Sequence, residues 1–167
     1  MTDQLRLLLI NDLKVLENAR EVLVYSFNKC RAIGIKKVYE PEELESFESF
    51  TGRFARLSDI LIQKIFRLVD ELDLDTQGTI RDRINRAEKK ELIVSSDVFV
   101  EIRMVRNDIA HEYLPEAIHD IFGKVLSLTP HLLDGIERTL TYCKKYTRVS
   151  RGPNHASSSP DGAEIVE

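Results

Sequence analysis

The stretch PEELESFESFTGRFARLSDILIQKIFRLVDEL (residues 41–72) decides the fold, because its apolar residues recur every three or four positions from end to end. The stripe consists of Leu44, Phe47, Phe50, Phe54, Leu57, Leu61, Ile65, Leu68 and Leu72. Pro41, Glu42 and Glu43 suit a first helical turn, where a proline costs no hydrogen bond and carboxylates face the positive end of the helix dipole. The stretch predicts one long amphipathic helix.

The segments around this stretch show the same helical spacing of apolar residues. A first helix precedes Gly34, which is typical of a helix end. Turn-forming residues 75–78 separate the long helix from a short third helix, whose stripe is Ile80, Ile84 and Ala87. The serines at 95–96 offer N-caps for a fourth helix, whose stripe is Val98, Ile102, Val105 and Ile109.

Two prolines set expectations for the last part of the bundle. Leu114 precedes Pro115, and a residue before proline is pushed out of the α region. The fourth helix should therefore end near Tyr113, and the fifth should begin at Pro115. Pro130 lies inside the fifth segment, which predicts either a kink or a restart of the helix capped by Thr129.

These segments together predict an all-α fold, an up-and-down bundle of four to five helices over residues 1–147. Seven glycines and five prolines are few for an all-β chain with many tight turns. The chain has 167 residues, 43% of them hydrophobic, which suits a single domain with a substantial core. Residues 148–167 lack periodic apolar residues and are rich in turn formers, so we expect a disordered tail there.

The net charge and the lengths of the apolar runs restrict the kinds of ligand and the cellular location that we expect for the protein. The 24 Lys and Arg against 28 Asp and Glu give a net charge of −4, which argues against a generally basic DNA-coating protein but allows a local basic patch. The longest apolar run, residues 7–10, is too short to span a membrane. The first residues show no secretory signal, so we expect a soluble, cytoplasmic protein with reduced thiols at Cys30 and Cys143.

Familiar cofactor and metal motifs are missing from the sequence. It has no glycine-rich phosphate or dinucleotide loop and no CxxC pair. His111 and His119 are not at the spacing of zinc-binding histidines on a helix. We therefore expect neither a cofactor nor a metal site, although carboxylates alone can hold Mg²⁺ without a sequence signal.

The stretch RNDIAHEY (residues 106–113) is the strongest candidate for a functional site. At about 100° per residue, the buried face of its helix carries Tyr113 together with the apolar stripe, and Arg106 lies on the rim. Asn107 and His111 point away from that face, as does Met104. Arg106 and His111 diverge by roughly 140°, so one straight helix does not easily aim both at one phosphate. A bent helix end or a second copy of the helix across a dimer axis would bring them together.

Arg106, His111 and Tyr113 match the Arg-x4-His-x-Tyr motif, and the chain resembles HEPN-domain proteins in this respect, in particular the HepT toxin of HEPN–MNT toxin–antitoxin pairs. Asn107 also fits the common pattern, and the resemblance covers residues 97–114. It implies a metal-independent endoribonuclease that acts as a homodimer. It further implies a nucleotidyltransferase-fold (MNT) antitoxin as the partner that neutralises it.

The chemistry of RNA cleavage suits these residue types. An imidazole that titrates near neutrality, here His111, can take the proton of a 2′-hydroxyl. The guanidinium of Arg106 can stabilise charge on the phosphoryl oxygens, and Asn107 can orient the imidazole or hold a phosphate oxygen. The resemblance implies that the antitoxin adenylylates Tyr113. Its position about 20° from Arg106 on the helical wheel would bring the added phosphate near the guanidinium.

A second group of candidate residues lies on the short third helix, where a surplus of positive charge could guide an RNA backbone toward the motif. The group consists of Arg81, Arg83, Arg86 and Lys90. Charge runs on helices are more often solvated faces without a ligand.

Two other functions remain open beside the ribonuclease toxin. The chain could be a non-catalytic HEPN subunit that binds nucleotide or substrate for a partner nucleotidyltransferase. It could also be a helical adaptor that only mediates association. The intact Arg–His pair favours the ribonuclease, because a scaffold would not need it.

Overall fold

A computed structural model describes residues 1–148 of the chain and shows an all-α bundle, as the sequence predicts. Its helices are α1 (Thr2–Ile33), α2 (Pro41–Asp59), a π-helical segment (Ile60–Ile65), α3 (Phe66–Leu72), α4 (Ile80–Lys89), α5 (Ser96–His111) and α6 (Pro115–Thr147). None of the helices within residues 1–148 is long and apolar enough to cross a bilayer. The tail predicted at residues 148–167 lies outside the described residues except for Arg148.

The predicted long helix is confirmed over residues 41–72, with α2, the π segment and α3 following one another without a break. Its N-terminal turn is closed by a capping box between Glu40 and Glu43, in which the Glu43 carboxylate accepts the N–H of Glu40 at 3.0 Å. Ile60, Leu61 and Ile62 are consecutive and therefore point in different directions around the helix axis, yet all three are buried. Other helices thus pack against more than one side of the long helix. The long helix is therefore the centre of the bundle.

The other helix ends follow the capping chemistry that the sequence suggests. Gly34 ends α1 with a φ of 74°, a conformation that glycine adopts without strain. Ser95 Oγ accepts the N–H of Val98 at 3.3 Å and caps α5. Pro115 begins α6, as predicted.

The predicted end of the fourth helix near Tyr113 is wrong by two residues, because α5 ends at His111. Glu112 adopts an extended backbone, and its carboxylate accepts the N–H groups of Tyr113 and Leu114, each at 3.0 Å. These donors are therefore satisfied outside the helix, which leaves residues 112–114 as a short fixed link to α6.

Of the two outcomes expected at Pro130, a kink or a restart, the restart is wrong, because α6 runs on without interruption. The Thr129 hydroxyl donates to the carbonyl of Val125 at 2.6 Å within the helix instead of capping a new one. Pro130 lies on the exposed face of α6 and has no N–H to donate to the carbonyl of Leu126.

Candidate functional site

Arg106 is held by a carboxylate from the long helix. Its Nε donates to Asp59 Oδ1 at 2.8 Å, and its Nη2 donates to Asp59 Oδ2 at 2.8 Å. This two-point contact fixes the plane of the guanidinium, and the hydrogen bonds from Arg106 to Asp59 raise the pKa of Arg106. Arg106 and Asp59 both remain partly exposed, so the pair lies at the surface of the bundle.

The Asp59–Arg106 pair lies in a cleft of about 590 Å³ between the long helix, α5 and α1, which we call the basic cleft. Its charged lining consists of Arg56, Asp59, Lys64, Arg103 and Arg106, and its other lining residues include Gln63, Asn107, Ile60 and Val15. Four cations therefore face one carboxylate in a chain whose net charge is −4. A cleft of this size and sign suits a small or locally inserted anionic ligand.

The π segment forms part of the cleft. Asp59 is the last residue of α2 before this segment, and Ile60 and Gln63 belong to it. A π turn inserts one extra residue into a helical turn, and such turns occur frequently at functional sites. Part of the wall of the basic cleft is thus formed by the segment in which the long helix departs from regular α geometry.

The structure brings Asn107 into the cleft beside Arg106 but leaves His111 outside it. Arg106 Nη1 lies 3.4 Å from Asn107 Oδ1. Among residues 1–148, His111 does not line the cleft, and its exposed side chain belongs to the last residue of α5. The predicted outward direction of Asn107, His111 and Met104 is confirmed, since all three are exposed.

Tyr113 does not lie on the buried face where the helical wheel placed it. Because α5 ends at His111, Tyr113 belongs to the link before α6, and its side chain is 84% exposed. The predicted alignment with Arg106 on one helix face is therefore wrong. The phenol is instead presented to solvent on a link whose backbone Glu112 fixes.

Two of the four basic residues predicted on the third helix are engaged in ion pairs inside the bundle. Arg86 Nη2 donates to Asp70 Oδ2 at 2.7 Å, and Lys90 Nζ donates to Asp70 Oδ1 at 2.9 Å and lies 3.0 Å from Asp73 Oδ2. Burial lowers the pKa of Lys90, but hydrogen bonds to Asp70 and Asp73 outweigh this and raise it. Arg86 and Lys90 therefore hold α4 against α3, and their geometry does not support phosphate binding.

Arg81 and Arg83 on the same helix have different surroundings. Arg81 Nη2 contacts Asp97 Oδ1 at 3.0 Å on the exposed surface. Arg83 turns toward the π segment, where its Nη1 lies 3.4 Å from the carbonyl of Ile62 and 3.5 Å from Gln63 Oε1. Because Gln63 also lines the basic cleft, Arg83 lies next to the site that contains Arg106.

The described residues contain two cysteines and no cluster of metal-ligating side chains. Cys30 and Cys143 are free and buried, and burial raises the pKa of these thiols to about 11 and about 12. Residues 1–148 contain no group of three or more His, Cys, Asp or Glu side chains placed to hold a metal ion. The polar residues that line the basic cleft are four cations, two amides and Asp59.

Comparisons of the chain with protein-family models and with curated proteins find no match. The resemblance to HEPN proteins consequently rests on the residues of the motif and on their place at the end of the penultimate long helix of a bundle.

Proposed function

We propose that this protein is a HepT-like ribonuclease toxin that cleaves RNA without a metal ion at a composite cleft of a homodimer. We further propose that a nucleotidyltransferase-fold antitoxin neutralises it. The observation that carries this proposal is the fixed guanidinium of Arg106 beside Asn107 in the basic cleft. This arrangement is suited to an anionic phosphoryl group.

Cleavage would proceed by transfer within the RNA. His111 takes the proton of a 2′-hydroxyl, whose oxygen attacks the adjacent phosphorus. The bond from phosphorus to the 5′-oxygen breaks, and that oxygen receives a proton from an imidazolium or from water. Arg106 stabilises the negative charge that develops on the phosphoryl oxygens. The products are a 2′,3′-cyclic phosphate and a 5′-hydroxyl.

A homodimer would complete the site. One chain places Arg106 and Asn107 in the cleft but leaves His111 exposed outside it. In a C2 dimer through the exposed face of α5, each cleft can receive the partner's imidazole. Met104, which is 61% exposed on the same face, would be covered by this contact. Sedimentation that shows only monomer at micromolar concentration would contradict the composite cleft.

The decisive experiment is cleavage of RNA in EDTA by wild type, Arg106→Ala and His111→Ala. Loss of a well-placed acid–base or charge-stabilising group typically costs about 10²- to 10⁴-fold, so both variants should be folded and nearly inactive. His131→Ala is the matched control, since it removes an exposed histidine of α6 and should cleave like wild type. The cleaved ends should be 2′,3′-cyclic phosphates.

Wild-type rates in either site variant would contradict the assigned roles. A wild-type chain that binds RNA or nucleotide without cleaving it would favour the alternative function, a non-catalytic HEPN subunit for a partner nucleotidyltransferase. Activity that disappears in EDTA and returns with Mg²⁺ would contradict metal-independent cleavage.

Control by adenylylation of Tyr113 is the regulatory part of this proposal. The exposed phenol on the link after α5 is an accessible acceptor, whereas the hydroxyls of Tyr142 and Tyr146 donate to Asp73. An AMP group there would add both bulk and negative charge near the end of the helix that carries Arg106 and His111.

Intact-mass spectrometry after incubation with the antitoxin and ATP should show added AMP on wild type. Tyr113→Phe should gain no mass and should escape silencing by the antitoxin. Tyr25→Phe is the matched control, since Tyr25 is also exposed, and it should be modified like wild type. A mass gain that maps to another tyrosine would contradict the assignment.

A further inference from the structure

The positive surface around Arg106 continues beyond the basic cleft. Gln63 lines the cleft, and its Oε1 also lies 3.5 Å from Arg83 Nη1. Arg83 comes from α4, so this helix adds a guanidinium at the edge of a cleft that α1, α5 and the long helix form. Arg83 thus lies beside Gln63, a residue that also lines the basic cleft.

Most of these cations have no carboxylate partner. Arg106 is paired with Asp59. In the part of the chain that the structure describes, no carboxylate oxygen lies within 4.0 Å of the charged nitrogens of Arg56, Lys64, Arg83 or Arg103. An anionic ligand would therefore meet cations that internal ion pairs do not already occupy.

Arg83 is the least satisfied of these residues. Its Nε is buried without a hydrogen-bond partner among residues 1–148, and both contacts of its Nη1 are long. Burial lowers the pKa of Arg83, Asp70 raises it, and the nearby Arg67, Arg86 and Arg103 lower it. The Asp70 oxygens accept hydrogen bonds from Arg86 and Lys90 and none from Arg83, so Arg83 has no hydrogen-bonded counter-ion among residues 1–148.

The lining between the cations favours a nucleic acid strand over an acidic peptide. Gln63 and Asn107 carry amides, which can donate to and accept from base edges or a 2′-hydroxyl. Ile60 and Val15 provide apolar surface against which a base can lie. An acidic peptide would use the cations and the amides, but its carboxylate side chains bring no aromatic base to lie against Ile60 and Val15.

We propose that Lys64, Arg103 and Arg83 form a phosphate-binding track that leads a single RNA strand into the cleft at Arg106. This inference rests on the proposed function and adds to it the part of the substrate that is held away from the cleaved bond. The track belongs to one chain, so each half of a dimer would carry its own.

The test is binding of a 2′-O-methyl RNA oligonucleotide, which lacks the attacking hydroxyl, measured by fluorescence anisotropy at several salt concentrations. Arg103→Ala, Lys64→Ala and Arg83→Ala should each weaken binding several-fold. Each should also reduce the slope of log affinity against log salt by about 0.7, the value for one lost phosphate contact on a single strand. Arg138→Ala is the matched control, because it removes an exposed arginine of α6, a helix with no residue among those that line the basic cleft, and it should bind like wild type.

Two further variants keep the result interpretable. Arg83→Lys preserves the charge and should retain most of the binding even if Arg83→Ala is poorly folded. Lys64→Ala, already in the set, should fold normally because Lys64 is exposed. His111→Ala should bind the oligonucleotide like wild type while failing to cleave ordinary RNA. Loss of binding in the track variants with no cleavage by wild type would support the track and contradict the ribonuclease.

Wild-type binding in both Arg103→Ala and Lys64→Ala would overturn the track even if the protein cleaves RNA. No binding of the oligonucleotide by wild type would overturn it too. Competition by polyglutamate at the same charge concentration as RNA would also overturn it, because the surface would then recognise acidic protein instead of a nucleic acid strand.

Discussion

Two clusters of charged side chains lie along the long helix, one around Asp59 and one at its C-terminal end, and they differ in their supply of carboxylates. In the basic cleft, four cations face Asp59 alone. At α3, Asp70 and Asp73 accept from Lys90, Asp70 also pairs with Arg86, and the hydroxyls of Tyr142 and Tyr146 donate to Asp73. We call this second cluster the Asp70–Asp73 network.

The comparison shows that residue type does not decide the role of a cation in this bundle. Arg83 and Arg86 are three residues apart on α4, yet Arg86 meets the buried Asp70 and Arg83 turns to the edge of the basic cleft. Inside the network each buried cation has its counter-charge, so it stabilises the packing of α4 and α6 on α3. In the cleft the cations outnumber the carboxylates, which leaves them available to a ligand.

The largest expected effect is the loss of stability on breaking the network. Asp70→Ala would leave the largely buried Arg86 and Lys90 without their shared partner. Removal of one partner of a buried ion pair typically destabilises by about 3–5 kcal/mol, and we expect a loss of that order in the free energy of unfolding. Urea denaturation followed by circular dichroism measures it.

Asp97→Ala is the matched control, since it breaks the exposed pair with Arg81. Such surface pairs contribute about 0–1 kcal/mol. Equal losses in Asp70→Ala and Asp97→Ala would show that the network is no more important to the fold than a surface contact.

Hydrophobic periodicity was enough to predict the helices because each one buries a stripe against the bundle. Gly34 and Pro115 marked helix boundaries correctly, since glycine without a Cβ adopts the positive φ that ends α1 and proline fixes φ in the first turn of α6. The end of α5 was missed because it depends on where the Glu112 carboxylate finds donors. At Pro130 the sequence left a kink and a restart open, because tertiary packing can outweigh one lost hydrogen bond, and α6 in fact continues.

The candidate site was predictable only where its residues are close in sequence. Arg106 and Asn107 were found through the motif, and the exposed side of α5 followed from the helical wheel. Asp59 was missed because it is 47 positions from Arg106 in the sequence, and no local pattern distinguishes it from other acids of the long helix. The buried role of Asp70 was equally hidden, so the sequence could not separate Arg86 from Arg83.

The second effect is a loss of stability in acid that arises from the network. Burial acts to raise the pKa of Asp73, but hydrogen bonds from Tyr146, Tyr142 and Lys90 outweigh it and hold the pKa below its ordinary value. Since the folded pKa is depressed, this carboxylate stabilises the fold fully above its unfolded pKa of about 3.9. That contribution is lost as the pH falls through the lower folded pKa.

Measurement of the unfolding free energy between pH 2 and 6, a range set about the ordinary carboxyl pKa, tests this effect. Asp73→Asn should be less stable than wild type at pH 6 and should lose less stability on acidification. Tyr146→Phe removes one hydrogen bond and should behave between the two. If the unfolding free energies of wild type and Asp73→Asn fell equally on acidification, the proposed role of the Asp73 carboxylate in acid stability would be contradicted.

The smallest effect on stability is expected in the basic cleft, where Asp59→Ala breaks a pair whose two side chains are about one-third exposed. We expect a loss of about 0–1 kcal/mol, as for other exposed pairs, because water can solvate the released guanidinium.

RNA should bind the Asp59→Ala variant more tightly than wild type, since the only carboxylate among the described lining residues is gone. If the protein cleaves RNA as proposed, kcat should fall by up to about 10²-fold because Arg106 is no longer held in one plane. KM should also fall, because RNA binds more tightly. The Asp59→Glu variant keeps a carboxylate beside Arg106 and should restore part of kcat. A loss of stability as large as that of Asp70→Ala would contradict the contrast between the two clusters, because it would make the Asp59–Arg106 pair a structural contact of the same kind.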